Sequence, residues 1–299
     1  MTTADAHIAA VVPVQAVGSP VRAIGIPAHA VRITLISIAA IFLGVMIILP
    51  LAAVLIEACG SGIPALLGAL AEPDALAALR LTGVTALIVL PLNIVFGVAA
   101  AWSIAKFDWP GKTLVTTLID LPFTISPVVA GMAFVLLFGT RGWLGPALES
   151  IGFKVIFAVP GIILATAFVT VPFIARELIP LMEAQSRQEE EAALSLGASG
   201  WRTFWRITLP NIKWGLIYGS ILCAARAVGE FGAVSVVSGH IRGQTETVSL
   251  HVESLYGEYK FGAASSLATL LVAFTLVTVL IRHFLQSRHP SAVRRGLAH

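Results

Sequence analysis

Three charged side chains, Asp120, Arg226 and Glu230, lie inside apolar runs that are long enough to cross a bilayer. Charged groups at that depth are expensive to desolvate, so they face a cavity or one another. Arg226 and Glu230 are four residues apart and would share one face of a helix, where they can pair. Two interpretations stay open: the pair locks a helix bundle, or Arg226 sets the electrostatic potential along a path for anions.

Prolines and hydroxyl groups follow Asp120 in the segment "DLPFTISPVVAG". Pro122 and Pro127 interrupt the helix and free backbone carbonyl and amide groups, which a membrane tolerates only beside other protein or a cavity. Thr124 and Ser126 add hydroxyl groups at the same place. The segment therefore predicts either a packing kink or part of a substrate path, in which Asp120 and the two prolines have a structural or gating role.

A second segment rich in small residues, "GEFGAVSVVSGH", begins at Gly229 and contains Ser235 and Ser238. An anion that crosses a low-dielectric region needs hydrogen-bond donors along its way, and these must release it again. The hydroxyls of Ser235 and Ser238, together with backbone amides next to the glycines, could supply such donors. Small residues serve equally well for close helix packing, and that interpretation stays open for each of them.

The sequence offers no constellation of catalytic, metal-ligating or nucleotide-binding residues. Cys59 and Cys223 lack metal or redox spacing and lie in or beside apolar runs, as small hydrophobic residues do. The "PGKT" at 110–113 would complete a phosphate-binding loop only if position 106 held glycine, and it holds Lys106. A membrane enzyme is therefore not favoured, and we expect no cofactor and no metal on this chain.

The elements that must position these residues are transmembrane helices. The chain of 299 residues is 57% hydrophobic and only 12% charged, about half the charge of a soluble domain. Its net charge of +3 comes from scattered basic residues, which argues against nucleic acid as a partner. Apolar runs with the roughly 20 residues that a membrane crossing needs occur six times in the chain. They are residues 33–56, 81–105, 113–140, 155–175, 214–238 and 261–281.

An even number of crossings places both termini on the same side of the membrane. Thirteen basic residues lie on the terminal side and five on the other, so the positive-inside rule predicts that both termini are cytoplasmic. The chain then has a disordered cytoplasmic extension at 1–30, a six-helix transmembrane domain at 31–282 and a basic cytoplasmic tail at 283–299. The tail is either disordered or in contact with anionic lipid headgroups.

The longest cytoplasmic loop contains a polar segment, "EEEAALSLGASGWRTFWRITLP", at 189–210. Its good helix formers and early glutamates predict a short helix, which Gly197 ends in a left-handed conformation. Ser199 then caps a second short helix through Ile207, before Pro210 turns the chain into the next span. Aromatic and basic residues on this second helix are typical of a helix that lies on a membrane surface or docks into a partner.

The same segment fits the pattern EAAxxxGx₉IxLP at every fixed position. The matching residues are Glu191, Ala192, Ala193, Gly197, Ile207, Leu209 and Pro210. The segment resembles the EAA loop of permease subunits in binding-protein-dependent ABC importers. The resemblance implies that residues 187–210 form a coupling element that docks into a cleft of a separate cytoplasmic ATPase dimer, which holds the ATP and Mg. By this resemblance Glu191 would make an acidic contact, Ala192 and Ala193 would allow close helix approach, and Gly197 would make the bend.

Three longer segments extend the resemblance. Residues 119–143, 169–182 and 225–256 are similar to the sulfate/thiosulfate permeases of the W type, and the likeness covers most of the chain between residues 80 and 280. It implies an all-α type I ABC importer permease fold in the bacterial cytoplasmic (inner) membrane. The implied partners are a T-type paralogue as the second permease subunit, an extracytoplasmic sulfate-binding protein and membrane lipid.

Two rival functions remain beside this one. A permease for molybdate or another oxyanion would share the coupling loop and differ in its substrate. An ion-coupled secondary transporter would use Asp120, Arg226 or Glu230 as a relay. It predicts inverted repeats between the two halves, which the sequence does not display, and it leaves the EAA loop without a role.

Overall fold

A computed structural model describes residues 28–60 and 62–288 of the chain. These residues form fourteen α-helices and one π-helical turn, the π-turn (Phe204–Thr208), and they contain no β-strand. In chain order the α-helices are α1 (Ala28–Gly60), α2 (Ile63–Leu70), α3 (Pro73–Lys106), α4 (Lys112–Thr124), α5 (Pro127–Phe138), α6 (Gly145–Ser150), α7 (Val159–Thr170), α8 (Pro172–Glu183), α9 (Gln188–Ser195), α10 (Gly200–Thr203), α11 (Leu209–Val228), α12 (Gly232–Val237), α13 (Val248–Gly257) and α14 (Phe261–Arg288).

The chain divides into two compact units, Met1–Leu51 and Ala52–His299. The described part of the first unit is apolar helix, the portion of α1 that begins at Ala28. Residues 28–30, which the sequence placed in the terminal extension, are thus helical, and 1–27 lie outside the described residues. At the other end α14 extends beyond its apolar run to Arg288, since residues 282–288 contain neither glycine nor proline. Residues 289–299 of the predicted tail again lie outside the described part.

Four helical segments are long and apolar enough to cross a membrane: Val31–Gly60, Pro73–Lys106, Val159–Glu183 and Phe261–Arg288. They coincide with four of the predicted runs. The run at 113–140 is formed by α4 and α5, which meet the same test as a pair bent by 110°. The described residues therefore form an all-α membrane protein with four candidate spans, or five if the bent pair counts as one.

The apolar run at 214–238 is not one continuous helix. α11 ends at Val228 and α12 begins at Gly232, and these two helices do not qualify as a span by length and composition within the described chain. The break has a local cause. The carboxylate of Glu230 folds back onto the start of α12, where its Oε1 accepts a hydrogen bond of 2.9 Å from the amide of Ala233.

The core of the second unit is built around α3, which packs against α7, α8 and α11. A glycine permits the closest of these contacts, because a Cβ atom at Gly97 would lie 2.7 Å from Cγ2 of Ile174 in α8. Small residues at helix crossings are the usual device for close packing in membranes, where no water is available to drive association. A larger residue at position 97 would therefore force α3 and α8 apart.

Asn93 ties α3 to two further helices. Its side-chain amide donates to Oγ1 of Thr170 in α7 at 2.7 Å and lies 3.5 Å from Sγ of Cys223 in α11. Asn93 is only 3% exposed, and a buried amide without these partners would lower the stability of the folded protein. The cysteine therefore has a packing role, as its sequence surroundings predict.

Candidate functional site

Residues 187–210, named the coupling loop after the role that their resemblance implies, bend where the sequence predicts. Gly197 has φ of 85°, in the left-handed region. The chain reverses around it through two backbone hydrogen bonds of 3.0 Å, from the amide of Gly197 to the carbonyl of Leu194 and from that of Ala198 to Ala193. This pair of bonds is typical of a helix that ends at a glycine. α9 is thereby stopped and turned within two residues.

The second helix of the loop begins as predicted and ends differently. Ser199 caps α10, since its Oγ accepts a hydrogen bond of 3.4 Å from the amide of Arg202. The prediction that Pro210 turns the chain is wrong, because the backbone stays helical from Gly200 through α11. A π-turn precedes the proline: the amide of Leu209 bonds five residues back, to the carbonyl of Phe204. Pro210, which has no N–H to donate, follows as the second residue of α11.

The three glutamates of α9 differ in their contacts and in their exposure. Glu190 accepts a hydrogen bond of 2.7 Å from Oγ1 of Thr208 and pairs with Nζ of Lys106 at 3.2 Å. Glu189 accepts a hydrogen bond of 2.8 Å from the side chain of Asn211. Glu191, the glutamate of the EAA pattern, is exposed. The sequence singled out Glu191 and missed Glu190, whose partner Lys106 is the last residue of α3.

Apolar side chains cover the outer surface of the coupling loop. Leu196 is 90% exposed and Trp201 is 67% exposed, and Leu194 and Trp205 are each about half exposed. Phe204 instead is buried, with its ring centroid 5.0 Å from that of Trp102 in α3. An exposed apolar cluster next to polar residues is typical of a protein-binding surface. Among the remaining residues of the pattern, Ala192 and Pro210 are exposed, and Ala193, Ile207 and Leu209 are half-buried.

Arg226 and Glu230 form the ion pair that their spacing allows. Nη1 of Arg226 lies 2.5 Å from Oε2 of Glu230. The carboxylate is almost fully buried and the arginine side chain is 33% exposed. The pair therefore neutralises a buried charge, and one side of the guanidinium remains accessible.

Asp120 also has a partner, which the sequence did not predict. Nε of Arg176 in α8 lies 2.6 Å from Oδ1 of Asp120 in α4, and the same guanidinium stacks 4.6 Å from the ring centre of Phe123. The two residues are far apart in the chain, so only the packing of α4 against α8 brings them together. Arg176 therefore lies near enough to neutralise Asp120.

The two helix breaks are next to each other. A Cβ atom at Gly232, the first residue of α12, would lie 2.9 Å from Cβ of Pro127, the first residue of α5. One turn further on, a Cβ atom at Gly131 would lie 2.7 Å from the carbonyl oxygen of Ala233. The two segments singled out in the sequence for their small and hydroxyl residues therefore meet at the α5–α12 crossing.

Most hydroxyls of these segments bond within their own helix or loop. Thr124 donates to the carbonyl of Leu121 and Ser235 to that of Gly232, each at 2.9 Å. Ser238 is fully buried, and its Oγ accepts a hydrogen bond from the amide of His240 at 3.2 Å. Ser126 is exposed at the start of α5, whereas Pro122 is buried inside α4. A hydroxyl that donates to a backbone carbonyl still has lone pairs, and it can rotate toward another acceptor.

Buried polar contacts join the loop before α13 to α13 itself. Nδ1 of His251 lies 2.8 Å from Oε2 of Glu246, and Ser254 donates to the other oxygen of this carboxylate. Both His251 and Glu246 are buried. In the described part of the chain no cluster of three or more His, Cys, Asp or Glu residues could hold a metal ion.

Comparison with known sequences finds transport proteins over most of this length. Residues 93–294 match the model of the family described as binding-protein-dependent transport system inner membrane component. The sulfate transport system permease protein CysW of Synechococcus elongatus is 50% identical over 256 residues, which cover 86% of this chain and 90% of that protein. In Escherichia coli K12, CysW is 44% identical over 88% of this chain and 90% of its own length. CysT of the same organism is 34% identical over 83% and 90%, respectively.

Comparison with solved structures finds the same architecture. A chain in the crystal structure of a bacterial alginate ABC transporter, in complex with an alginate pentasaccharide-bound periplasmic protein, superposes with a TM-score of 0.69. The alignment covers 86% of this chain and 94% of that one, at 17% identity. At this identity the similarity concerns the fold alone.

Proposed function

The chain belongs to the family of binding-protein-dependent transport system inner membrane components, and from this premise we propose that it is the W-type permease subunit of an ATP-driven sulfate/thiosulfate importer. Members of this family are the membrane components of their systems and not the ATPases. One observation carries the coupling part of the proposal. The loop that fits the EAA pattern bends at Gly197 and exposes both Glu191 and an apolar surface.

The proposed topology has six crossings with both termini in the cytoplasm of a bacterial cell. α11 and α12 together make the fifth crossing, as a broken span that resembles α4 and α5. Two observations support this assignment: α12 packs against α5 and α7 inside the helix bundle, and α11 packs against α3 and α8. Broken helices are tolerated at membrane depth where protein or a water-filled cavity satisfies the backbone, and α5 and α12 lie against each other at their breaks.

The proposed partner at the coupling loop is an ATPase dimer, which supplies all nucleotide chemistry. Exposed leucines and tryptophans of the loop would enter an apolar cleft, and Glu191 would meet basic or polar groups at its rim. ATP binding would close the two ATPase subunits and move the coupling loops of both permease subunits together. The free energy of ATP binding acts only by stabilising one conformation of the transmembrane helices relative to the other.

The proposed path for sulfate passes the two adjacent helix breaks. Ser126 is exposed at one break, and Ser235 lies one turn into α12 at the other. Since Glu230 neutralises Arg226, the net field on a dianion is weak. A weak field suits conduction, because an ion that is bound too tightly does not leave. Affinity would then come from a separate extracytoplasmic sulfate-binding protein.

The second permease subunit in this proposal is a T-type paralogue. Support comes from the pair of relatives in one organism, since Escherichia coli K12 has both a CysW and a CysT and this chain is more similar to the former. Two different subunits would place two different helix-break regions beside one path.

Reconstitution into liposomes tests the proposal. The chain would be combined with its ATPase and a T-type subunit, and uptake of labelled sulfate would be measured with and without ATP, binding protein and a proton gradient. Uptake that needs both ATP and binding protein is expected. Uptake driven by the proton gradient without ATPase would contradict the proposal. Competition by thiosulfate and molybdate in the same assay shows which oxyanion the importer prefers. ATP-dependent uptake of molybdate but not sulfate would replace sulfate as the proposed substrate and would not affect the proposed mechanism.

A further inference from the structure

We infer that Glu190 is a positioning residue for transport: it joins the coupling loop to the end of α3, so that α3 moves with the loop. The inference deepens the proposed function and rests on it. Its basis is a set of contacts that bring the middle of α9 against a helix to which α9 is not directly connected in the chain.

The central contact is a three-residue bridge. Lys106 ends α3, and its side chain is only 6% exposed, while that of Glu190 is 16% exposed. One carboxylate oxygen of Glu190 lies 3.2 Å from Nζ of Lys106, and the other accepts a hydrogen bond of 2.7 Å from Thr208 in the π-turn. A cation at the end of a helix is also favoured by the helix dipole. Glu190 therefore connects α3 with the residues that lead into α11.

Two further contacts join the same parts. Nη2 of Arg187, just before α9, donates to the carbonyl of Ala105 in the last turn of α3 at 3.4 Å. The ring of Phe204 in the π-turn lies 5.0 Å from that of Trp102 in α3, centroid to centroid. The coupling loop thus holds the end of α3 by an ion pair, a backbone contact and an aromatic contact.

Open space lies between these contacts. A cavity of about 330 Å³ separates the end of α3 from the coupling loop, and its lining includes Lys106, Glu190 and Phe204. Beside this space, the ion pair, the backbone contact and the aromatic contact join the two parts. The ion pair of Lys106 and Glu190 has little solvent access, so water competes with it weakly.

The neighbouring glutamates do not have this geometry. Glu191 lines the same cavity but is exposed, and no ion pair joins it to α3 among the described residues. Glu189 is exposed and bonds to Asn211 at the start of α11. α3 in turn carries Asn93, which bonds to Thr170 and contacts Cys223, one turn before Arg226. Movement of α3 would therefore reach α7 and α11 near the proposed path.

The experiment compares two isosteric changes on one helix in the full complex with the ATPase and second permease subunit. Glu190→Gln removes the charge that faces Lys106, whereas Glu189→Gln keeps a carbonyl oxygen that still accepts from Asn211. The readout is sulfate transported per ATP hydrolysed. We expect Glu190→Gln to lower this ratio at least about fivefold, the lower end of typical couplings between two sites, and Glu189→Gln to leave it at the wild-type value.

A double variant separates transmission from the effect of an unpaired buried charge. Lys106→Met with Glu190→Gln removes both charges, so a defect caused only by the unpaired lysine would disappear. We expect the ratio to stay at least about fivefold low, because the link is still missing, and Lys106→Arg, which keeps the pair, to retain the wild-type ratio.

Three outcomes contradict the inference. It is wrong if Glu190→Gln and Glu189→Gln give the same ratio, or if the double variant recovers. If Glu190→Gln does not copurify with the ATPase, the ratio of sulfate transported to ATP hydrolysed is measured for the double variant instead. If neither assembles while Glu189→Gln does, the pair serves assembly and the inference is wrong. A wild-type complex that takes up no oxyanion with ATP would instead refute the proposed function, and the inference with it.

Discussion

The coupling loop and the α5–α12 crossing are held together by different kinds of contact. In the coupling loop, the bend at Gly197 and the cap at Ser199 are made by hydrogen bonds between residues that are close in sequence. At the crossing, Pro127 meets Gly232 and Gly131 meets Ala233, and these residues come from distant parts of the chain.

Because the contacts differ in this way, substitutions in the two regions should have different effects. A local bend can be lost while the helix bundle stays intact, so changes in the coupling loop should alter coupling more than stability. A steric or electrostatic change at the crossing alters how the helices pack, so it should lower stability first. The following predictions test this division in order of decreasing effect.

Removal of Glu230 should have the largest effect. Glu230→Leu leaves Arg226 without its partner, and removing one member of a buried pair costs about 3 kcal/mol, the lower end of the usual range, since Arg226 is partly exposed. Thermal unfolding of the purified protein in detergent measures the loss. A variant as stable as the wild type would show that the pair does not hold the bundle.

The matching double variant decides between the two interpretations of Arg226. Arg226→Met with Glu230→Met has no unpaired charge and should regain most of the stability. If this variant also transports sulfate, the pair is structural. If it is stable and inactive, Arg226 acts on the path.

A larger residue at the crossing should have the next largest effect. Gly131→Leu forces a side chain against the carbonyl of Ala233 and should lower stability by about 2 kcal/mol through overpacking. Gly83→Leu is the control, because Gly83 is exposed on α3 with no neighbouring atom within 4 Å of an added Cβ. Equal melting temperatures for the two variants would contradict the close crossing.

A change at the bend of the coupling loop should affect transport and spare stability. Gly197→Val has open space for its side chain but must adopt φ of 85°, which costs about 1–2 kcal/mol for an L-residue. We expect sulfate uptake per ATP to fall about tenfold, with a smaller loss of melting temperature than for Gly131→Leu. Gly200→Val is the control, since Gly200 also has open space and its φ is not positive. A larger loss of stability than at Gly131 would reverse the comparison.

Glu246 gives the smallest expected effect and extends the comparison to the loop before α13. Burial by itself would raise the pKa of Glu246, but hydrogen bonds with His251 and Ser254 and the nearby positive charges outweigh it, so this pKa is lowered. A carboxyl group with a lowered folded-state pKa stabilises the protein above its unfolded value of about 4.3, and the contribution disappears as the pH falls through the folded value.

Unfolding measured between pH 7 and pH 3 checks this prediction. Glu246→Gln should lower stability at neutral pH by about 1 kcal/mol and flatten the acid dependence, and the exposed Glu253→Gln should change neither. If Glu246→Gln has the same dependence of stability on acid pH as the wild type, Glu246 does not contribute to that dependence.

The helix break at 229–231 and the ion pair of Asp120 are two features that the sequence did not predict. An apolar run from 214 to 238 has the composition of a span, but Glu230 turns back to bond to Ala233 and divides it. In the sequence Asp120 has no neighbouring basic residue, but the packing of α4 against α8 places Arg176 beside it. In both cases a side chain found a partner that hydropathy does not represent.

The sequence by itself determined the helical class, the positions of four long apolar helices, the bend at Gly197, the cap at Ser199 and the family resemblance of the coupling loop. These features depend on residues within a few positions of one another, because helix periodicity, capping and left-handed glycines are short-range effects. Only the tertiary structure decided that Glu190 meets Lys106, that Arg176 meets Asp120 and that the two helix breaks lie together. Those contacts depend on how each helix is rotated and placed against its neighbours, and that orientation follows from the simultaneous packing of all the helices.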